Sequence, residues 1–66
     1  MEWIELEELN YIIIYINLEN IVMIKFDEHK DGVEVGLFLL DENSITIYIT
    51  HKSWEKLRNV LRGGVN

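Results

Sequence analysis

Residues 45–64 read ITIYITHKSWEKLRNVLRGG, and the change of period inside this stretch decides the fold. Ile45, Ile47 and Ile49 alternate with Thr46 and Tyr48, so the isoleucines share one face of a strand and the other two share the opposite face. Thr50 then suits a helix N-cap, its hydroxyl free to accept from first-turn amides. Ile49 just before that cap and Trp54 four positions into the helix have the spacing of a hydrophobic staple. Trp54, Leu57, Val60 and Leu61 form one apolar stripe. Gly63 fits the residue after a helix, and the basic side chains favour the helix's negative end. The pattern predicts a strand that folds back into a helix packed on its own sheet.

Upstream, three more segments read as strands. Leu9–Leu18 (LNYIIIYINL) is dominated by isoleucine and tyrosine, which suit a pleated surface. Ile21–Asp27 follows the turn Asn17-Leu18-Glu19-Asn20. Val33–Leu40 follows DEHKDG, in which Asp31-Gly32 is the turn signal. The last strand, Ser44–Thr50, follows Asp41-Glu42-Asn43. Trp3–Leu9 fits both a strand and a helical turn, and its glutamates favour a short edge strand. Short loops between consecutive strands favour antiparallel pairing. The expected class is therefore α+β: a single domain, 1–66, with an antiparallel β-meander of four strands, or five with Trp3–Leu9, and one C-terminal helix on one sheet face.

A chain of 66 residues buries only about 60% of its unfolded surface, so it needs a further source of stability. Cysteine is absent, which excludes disulfides and thiolate metal sites. The strands are apolar on both faces: Ile12, Ile14 and Ile16 alternate with Tyr11, Ile13 and Tyr15, and Ile21 falls opposite Val22, Ile24 and Phe26. One helix of about 18 Å covers one face only. A second copy is the simplest cover for the other, so a homo-oligomer, dimer or higher, is expected. Tyr11, Tyr15, Phe38 and Tyr48 are the candidate self-association or stacking face.

Net charge is −6, unevenly spread. Residues 1–50 hold eleven acids against Lys25 and Lys30, which is −9; residues 51–66 hold four bases against Glu55, which is +3. An acidic chain is a poor nucleic-acid binder, because phosphate neutralisation supplies most non-specific affinity. No stretch is long and apolar enough to span a bilayer, and the amino-terminal residues are acidic where an export signal is basic, so an intracellular, cytoplasmic protein is expected. Ten isoleucines without alanine, proline or glutamine fit an AT-rich coding sequence, as in many phages.

Few residues suggest chemistry. Aligned to a calcium loop, Asp27, His29, Asp31 and Gly32 take positions 1, 3, 5 and 6, but Phe38 stands where the bidentate glutamate belongs. A solvated hairpin turn, and no metal, is the expectation. His51 reads as surface. Ser44 and Ser53 have strand and helix-start roles, and carboxylate neighbours such as Glu7–Glu8 or Asp41–Glu42 lack a visible cleft to tune them. The two glycines lie at the wrong end of a helix for phosphate. No enzymatic activity and no cofactor are expected.

The segment SITIYITHKSWEKLRNVL, residues 44–61, resembles the carboxy-terminal signature of the positive cofactor four family of single-stranded-DNA-binding coactivators. The likeness is a strand, a short polar turn and a helix with tryptophan then leucine, here Trp54 and Leu57. It implies an antiparallel sheet plus one helix, a dimer, and single-stranded nucleic acid as ligand. The family's basic residues before the last strand are replaced here by Asp41-Glu42-Asn43. Two functions are thus expected in order. The first is a small acidic interaction module, a phage-type inhibitor or regulator, whose loop acids Asp27, Glu28, Asp31, Asp41 and Glu42 meet a basic protein partner. The second is single-stranded nucleic-acid binding.

Overall fold

In the computed structural model, which describes residues 3–63, five strands precede one helix: β1 (Trp3–Glu7), β2 (Ile13–Asn17), β3 (Ile21–Glu28), β4 (Val33–Leu39), β5 (Ser44–Ile49) and α1 (His51–Leu61). The strands form two antiparallel sheets, β1-β2 and β3-β4-β5. The class is α+β, and Trp3–Glu7 is a strand.

The long strand read from Leu9 to Leu18 is broken at its start. Leu9–Ile12 make the β1–β2 turn: Glu8 N donates to Ile12 O (2.8 Å), Tyr11 N to Glu8 O (2.9 Å) and Ile12 N to Asn10 Oδ1 (3.2 Å). Asn10 is the interrupting residue, since a short amide side chain stabilises a turn locally. At the other end Asn17 Oδ1 accepts from Glu19 N (3.0 Å) and caps a 3-10 turn over Leu18–Asn20. That turn separates β2 from β3, so the meander is cut into two sheets. The sheets meet again where Glu8 bridges Ile49, with Leu9 N donating to Tyr48 O (3.0 Å) and Thr50 N to Glu7 O (3.0 Å).

Alternation along β4 places Val33, Val35 and Leu37 on one face, all at most 2% exposed. Ile47 and Ile49 join them from β5, and Ile24 and Phe26 lie opposite Leu37 and Val35 in β3. A register shift between Ile21 and Met23 corrects the simple alternation read for β3. It turns Ile21 to the core, opposite Leu39, instead of away from it. The cover for this inner face comes from two pieces of the same chain. The β1–β2 hairpin contributes Ile4, Leu6, Ile14 and Ile16, and α1 contributes Trp54 and Leu57.

The strand-to-helix junction follows its sequence signals. Thr50 Oγ1 accepts from Ser53 N (3.1 Å), and the staple residues Ile49 and Trp54 are both buried. Gly63 takes φ +101°, a left-handed value that favours glycine, and its N–H donates to Val60 O (3.0 Å). Among the described residues, no helix is long and apolar enough to cross a membrane.

Two helix side chains also close the free edge of β1. Ser53 Oγ accepts from Glu7 N (2.8 Å), and Lys56 Nζ donates to Glu5 O (2.8 Å). An open strand edge is a template for unwanted pairing, and here side chains occupy it. Ser53→Ala removes the hydroxyl that accepts from Glu7 N–H, and is expected to lower stability by about 1–2 kcal/mol. Urea unfolding followed by circular dichroism measures it; an unchanged midpoint would mean that water replaces the hydroxyl at no cost.

Candidate functional site

Between the β1–β2 hairpin and the inner faces of β4 and β5 lies an open cleft of about 370 Å³. Ile14, Ile16, Leu37, Leu39, Ile45 and Ile47 give it apolar walls, and Trp3, Tyr15, Asn17 and Asn20 also line it. It exists because the hairpin is tied to β5 at the Glu8–Ile49 bridge, while Ile45, further along β5, is left 48% exposed. Sequence reasoning did not single out this cleft. Its signal was there in the two-faced strands, but the direction in which the hairpin folds over is not local information.

The four candidate stacking residues do not form one face. Phe38 and Tyr48 share the outer face of β3-β4-β5, opposite Ser44 and Glu34 respectively. Between them lie Gly36 and Thr46, and Lys25 Nζ stands 5.7 Å from the centre of the Phe38 ring. A shallow hollow of about 240 Å³ is lined there by Lys25, Gly36, Phe38 and Thr46 together with the acids Asp27 and Glu34. Tyr15 belongs to the other sheet, where its hydroxyl donates to Glu5 Oε1 (3.1 Å). That hydrogen bond, and the negative charge behind it, raise the Tyr15 pKa above 10. Tyr11 sits in the β1–β2 turn, 83% exposed, with φ +71°.

The candidate acids divide between the two ends of the three-stranded sheet. Asp27, Glu28 and Asp31 lie at the β3–β4 turn, while Asp41 and Glu42 lie at the β4–β5 turn. Asp41 is engaged locally, accepting from Asn43 N (3.1 Å) and Asn43 Nδ2 (2.9 Å). Glu42 holds φ +72° in the same turn. Glu28, Asp31, Asp41 and Glu42 form no ion pair with the described residues.

His29, which sequence reading placed in a solvated turn, gathers two carboxylates. Its Nε2 is 3.6 Å from Asp27 Oδ2 and 3.4 Å from Glu34 Oε1. Asp27, His29 and Glu34 could present one ligand atom each to a cation, all within 4.8 Å of one another. They stand on an open surface, where water competes for every ligand position. Asp31 and Gly32 of the calcium-like alignment take no part in this group, and Gly32 is buried.

A second groove, of about 230 Å³, runs between β3 and α1 and is lined by Ile24, Phe26, Trp54, Leu61, Arg58 and Arg62. The Phe26 and Trp54 rings form its floor, their centres 4.4 Å apart and tilted by 40°. Arg58 reaches Glu55 across one helical turn (3.3 Å). Arg58 and Arg62 thus put two guanidinium groups beside an apolar floor. The chain matches no protein-family model, no curated protein and no solved structure.

Proposed function

We propose that this chain is a non-enzymatic protein–protein interaction module: a homodimer that acts as an inhibitor or regulator, of the kind phages encode, by occupying a basic surface of a target protein. The observation that carries this reading is the set of loop acids, Glu28, Asp31, Asp41 and Glu42, that have no ion-pair partner among the described residues. Solvated charges at both ends of a small sheet create a field that guides a basic partner and discourages acidic ones. Exposed apolar side chains, such as Val22 at 60% and Leu40 at 64%, supply the contact surface that charge alone lacks.

Asp31 and Glu42 lie in turns with no side-chain hydrogen bond among the described residues, whereas Asp41 holds Asn43, so reversing Asp31 and Glu42 to lysine is expected to leave folding intact. Association with a basic target protein is expected to slow by roughly tenfold or more at low salt, because steering charges act on the on-rate. Stopped-flow mixing across a salt series measures this. An unchanged on-rate at low salt removes the steering role.

Single-stranded nucleic-acid binding is the second reading. It is favoured by one observation, the pairing of Lys25 with Phe38 on the face that also carries Tyr48. Aromatics of this kind stack unpaired bases. Asp27 and Glu34 in the same hollow oppose a phosphate backbone. A gel-shift series with a single-stranded oligonucleotide separates the readings: affinity that falls steeply with salt supports this one.

A further inference from the structure

Among the described residues the β3 strand has one neighbour, β4, and its other edge is open. The phase of its backbone is fixed by the bond from His29 N to Gly32 O (2.8 Å), which continues the β3–β4 register. In an antiparallel ladder, bonded and non-bonded pairs alternate. The odd-numbered residues from Met23 to His29 therefore bond across to β4. Ile24, Phe26 and Glu28 turn their N–H and C=O groups to the open edge. The register shift between Ile21 and Met23 ends the regular stretch at one side, leaving 24–28 as the usable template.

We infer that a second copy of this chain pairs with that edge, β3 against β3 and antiparallel, with a two-fold axis at Phe26. This deepens the proposed homodimer and rests on that reading. Charge selects the register. A dyad at Lys25 sets lysine against lysine, and a dyad at Asp27 sets aspartate against aspartate; like charges directly opposite destabilise a ladder. A dyad at Phe26 sets Lys25 opposite the partner's Asp27, twice by symmetry. It also pairs Ile24 with the partner's Glu28, and both residues bear outward-facing backbone groups.

The same register uses the groove between β3 and α1. Ile24 lines that groove with Arg58 and Arg62, so the partner's Glu28 arrives on the face where the two guanidinium groups stand. Phe26, 50% exposed in one copy, meets its equivalent on the axis, and Leu61, 51% exposed, borders the contact. Stable interfaces bury roughly 1,200–2,000 Å² in total, more than a strand pair alone offers, so the α1 side of the groove has to take part. The product is one continuous sheet of six strands. Because the copies run antiparallel, the β3–β4 turn of one, with Asp31, lies on the same rim as the partner's β4–β5 turn, with Asp41 and Glu42. Acids that lie at opposite ends of one copy are thereby brought to a common border.

Sedimentation equilibrium of the full chain tests this through a charge swap. Lys25 rests near the Phe38 ring and Asp27 near His29, and both are exposed, so substitutions there spare the core. Lys25→Asp alone and Asp27→Lys alone each convert two attractions into two repulsions. Each is expected to weaken the dimer by roughly tenfold, equivalent to about 1.4 kcal/mol. The double variant Lys25→Asp/Asp27→Lys restores the pairs and is expected to return to within about threefold of the parent. Isotope-filtered NMR of a mixed labelled and unlabelled sample should show contacts between the Phe26 backbones of the two copies. A dimer that is indifferent to the single swaps, or not recovered by the double one, overturns this interface while leaving a homodimer standing. A monomer at high micromolar concentration overturns both.

Discussion

Trp54→Ala is expected to unfold most of the protein at 25 °C. Deleting a buried aromatic costs about 3–5 kcal/mol, through lost burial and through the cavity that remains. A domain of this size draws little more than about 3–5 kcal/mol from one core, so the loss is comparable with the whole. Trp54 is 2% exposed, stands against the Phe26 ring and closes the staple with Ile49, so its removal detaches α1 from β3 and from the chain's entry into the helix. Trp54→Phe should lose less. It keeps an aromatic ring in the space and removes an indole N–H that is buried without a hydrogen-bond partner. Far-UV circular dichroism with urea titration compares the two variants. A folded alanine variant of unchanged stability that fails to bind a target would make Trp54 an exposed anchor instead.

Gly32→Ala is expected to cost about 3 kcal/mol, the upper end of the usual range for overpacking a core. A Cβ at Gly32 would lie 2.7 Å from the backbone oxygen of Ile49 and 2.5 Å from Leu9 Cδ2. The leucine side chain is able to swing away, because Leu9 is 40% exposed. The Ile49 carbonyl cannot move so cheaply: it sits where β5 meets both β4 and the Glu8 bridge. Gly36→Ala is the control, since its added Cβ finds only ordinary contacts at 3.6 Å or more. Thermal melts of the two variants should differ by several degrees, with Gly32→Ala much the lower. Equal melting temperatures would show that the β3–β4 turn yields without strain.

Gly32 also shows where sequence reading reached the right residue by an incomplete reason. Asp31-Gly32 marked the hairpin correctly, but the glycine is needed for close approach to Ile49 and does not adopt a positive φ. The strand-to-helix junction was legible because every signal in it is local: the Thr50 cap, the Ile49–Trp54 staple and Gly63 act within a few residues of one another. The division of the meander between β2 and β3 was less legible. It depends on Asn17 capping a 3-10 turn, where the same asparagine would equally suit a hairpin. The shift at Ile21–Met23 was hidden as well, because Ile21, Val22 and Met23 are all apolar and no alternation reveals the extra residue. The surfaces suffered most. Phe38 and Tyr48 share one face while Tyr15 lies on the other sheet and Tyr11 in its turn, and only strand register and the split into two sheets decide that.

The closure of the β1 edge has a consequence in time. Glu7 waits for Ser53, 46 residues further on, and Glu5 for Lys56, 51 residues further on. A ribosome adds roughly 5–20 residues per second, so the first strand leaves the exit tunnel seconds before the groups that seal it. Throughout that interval the Glu7 amide and the Glu5 carbonyl stand open on the β1 edge, because the side chains that seal them have not yet been made. The helix thus acts as a lock on β1, and cutting α1 short before Ser53 does more than trim one element: it leaves the edge of β1 permanently in its nascent, adhesive condition.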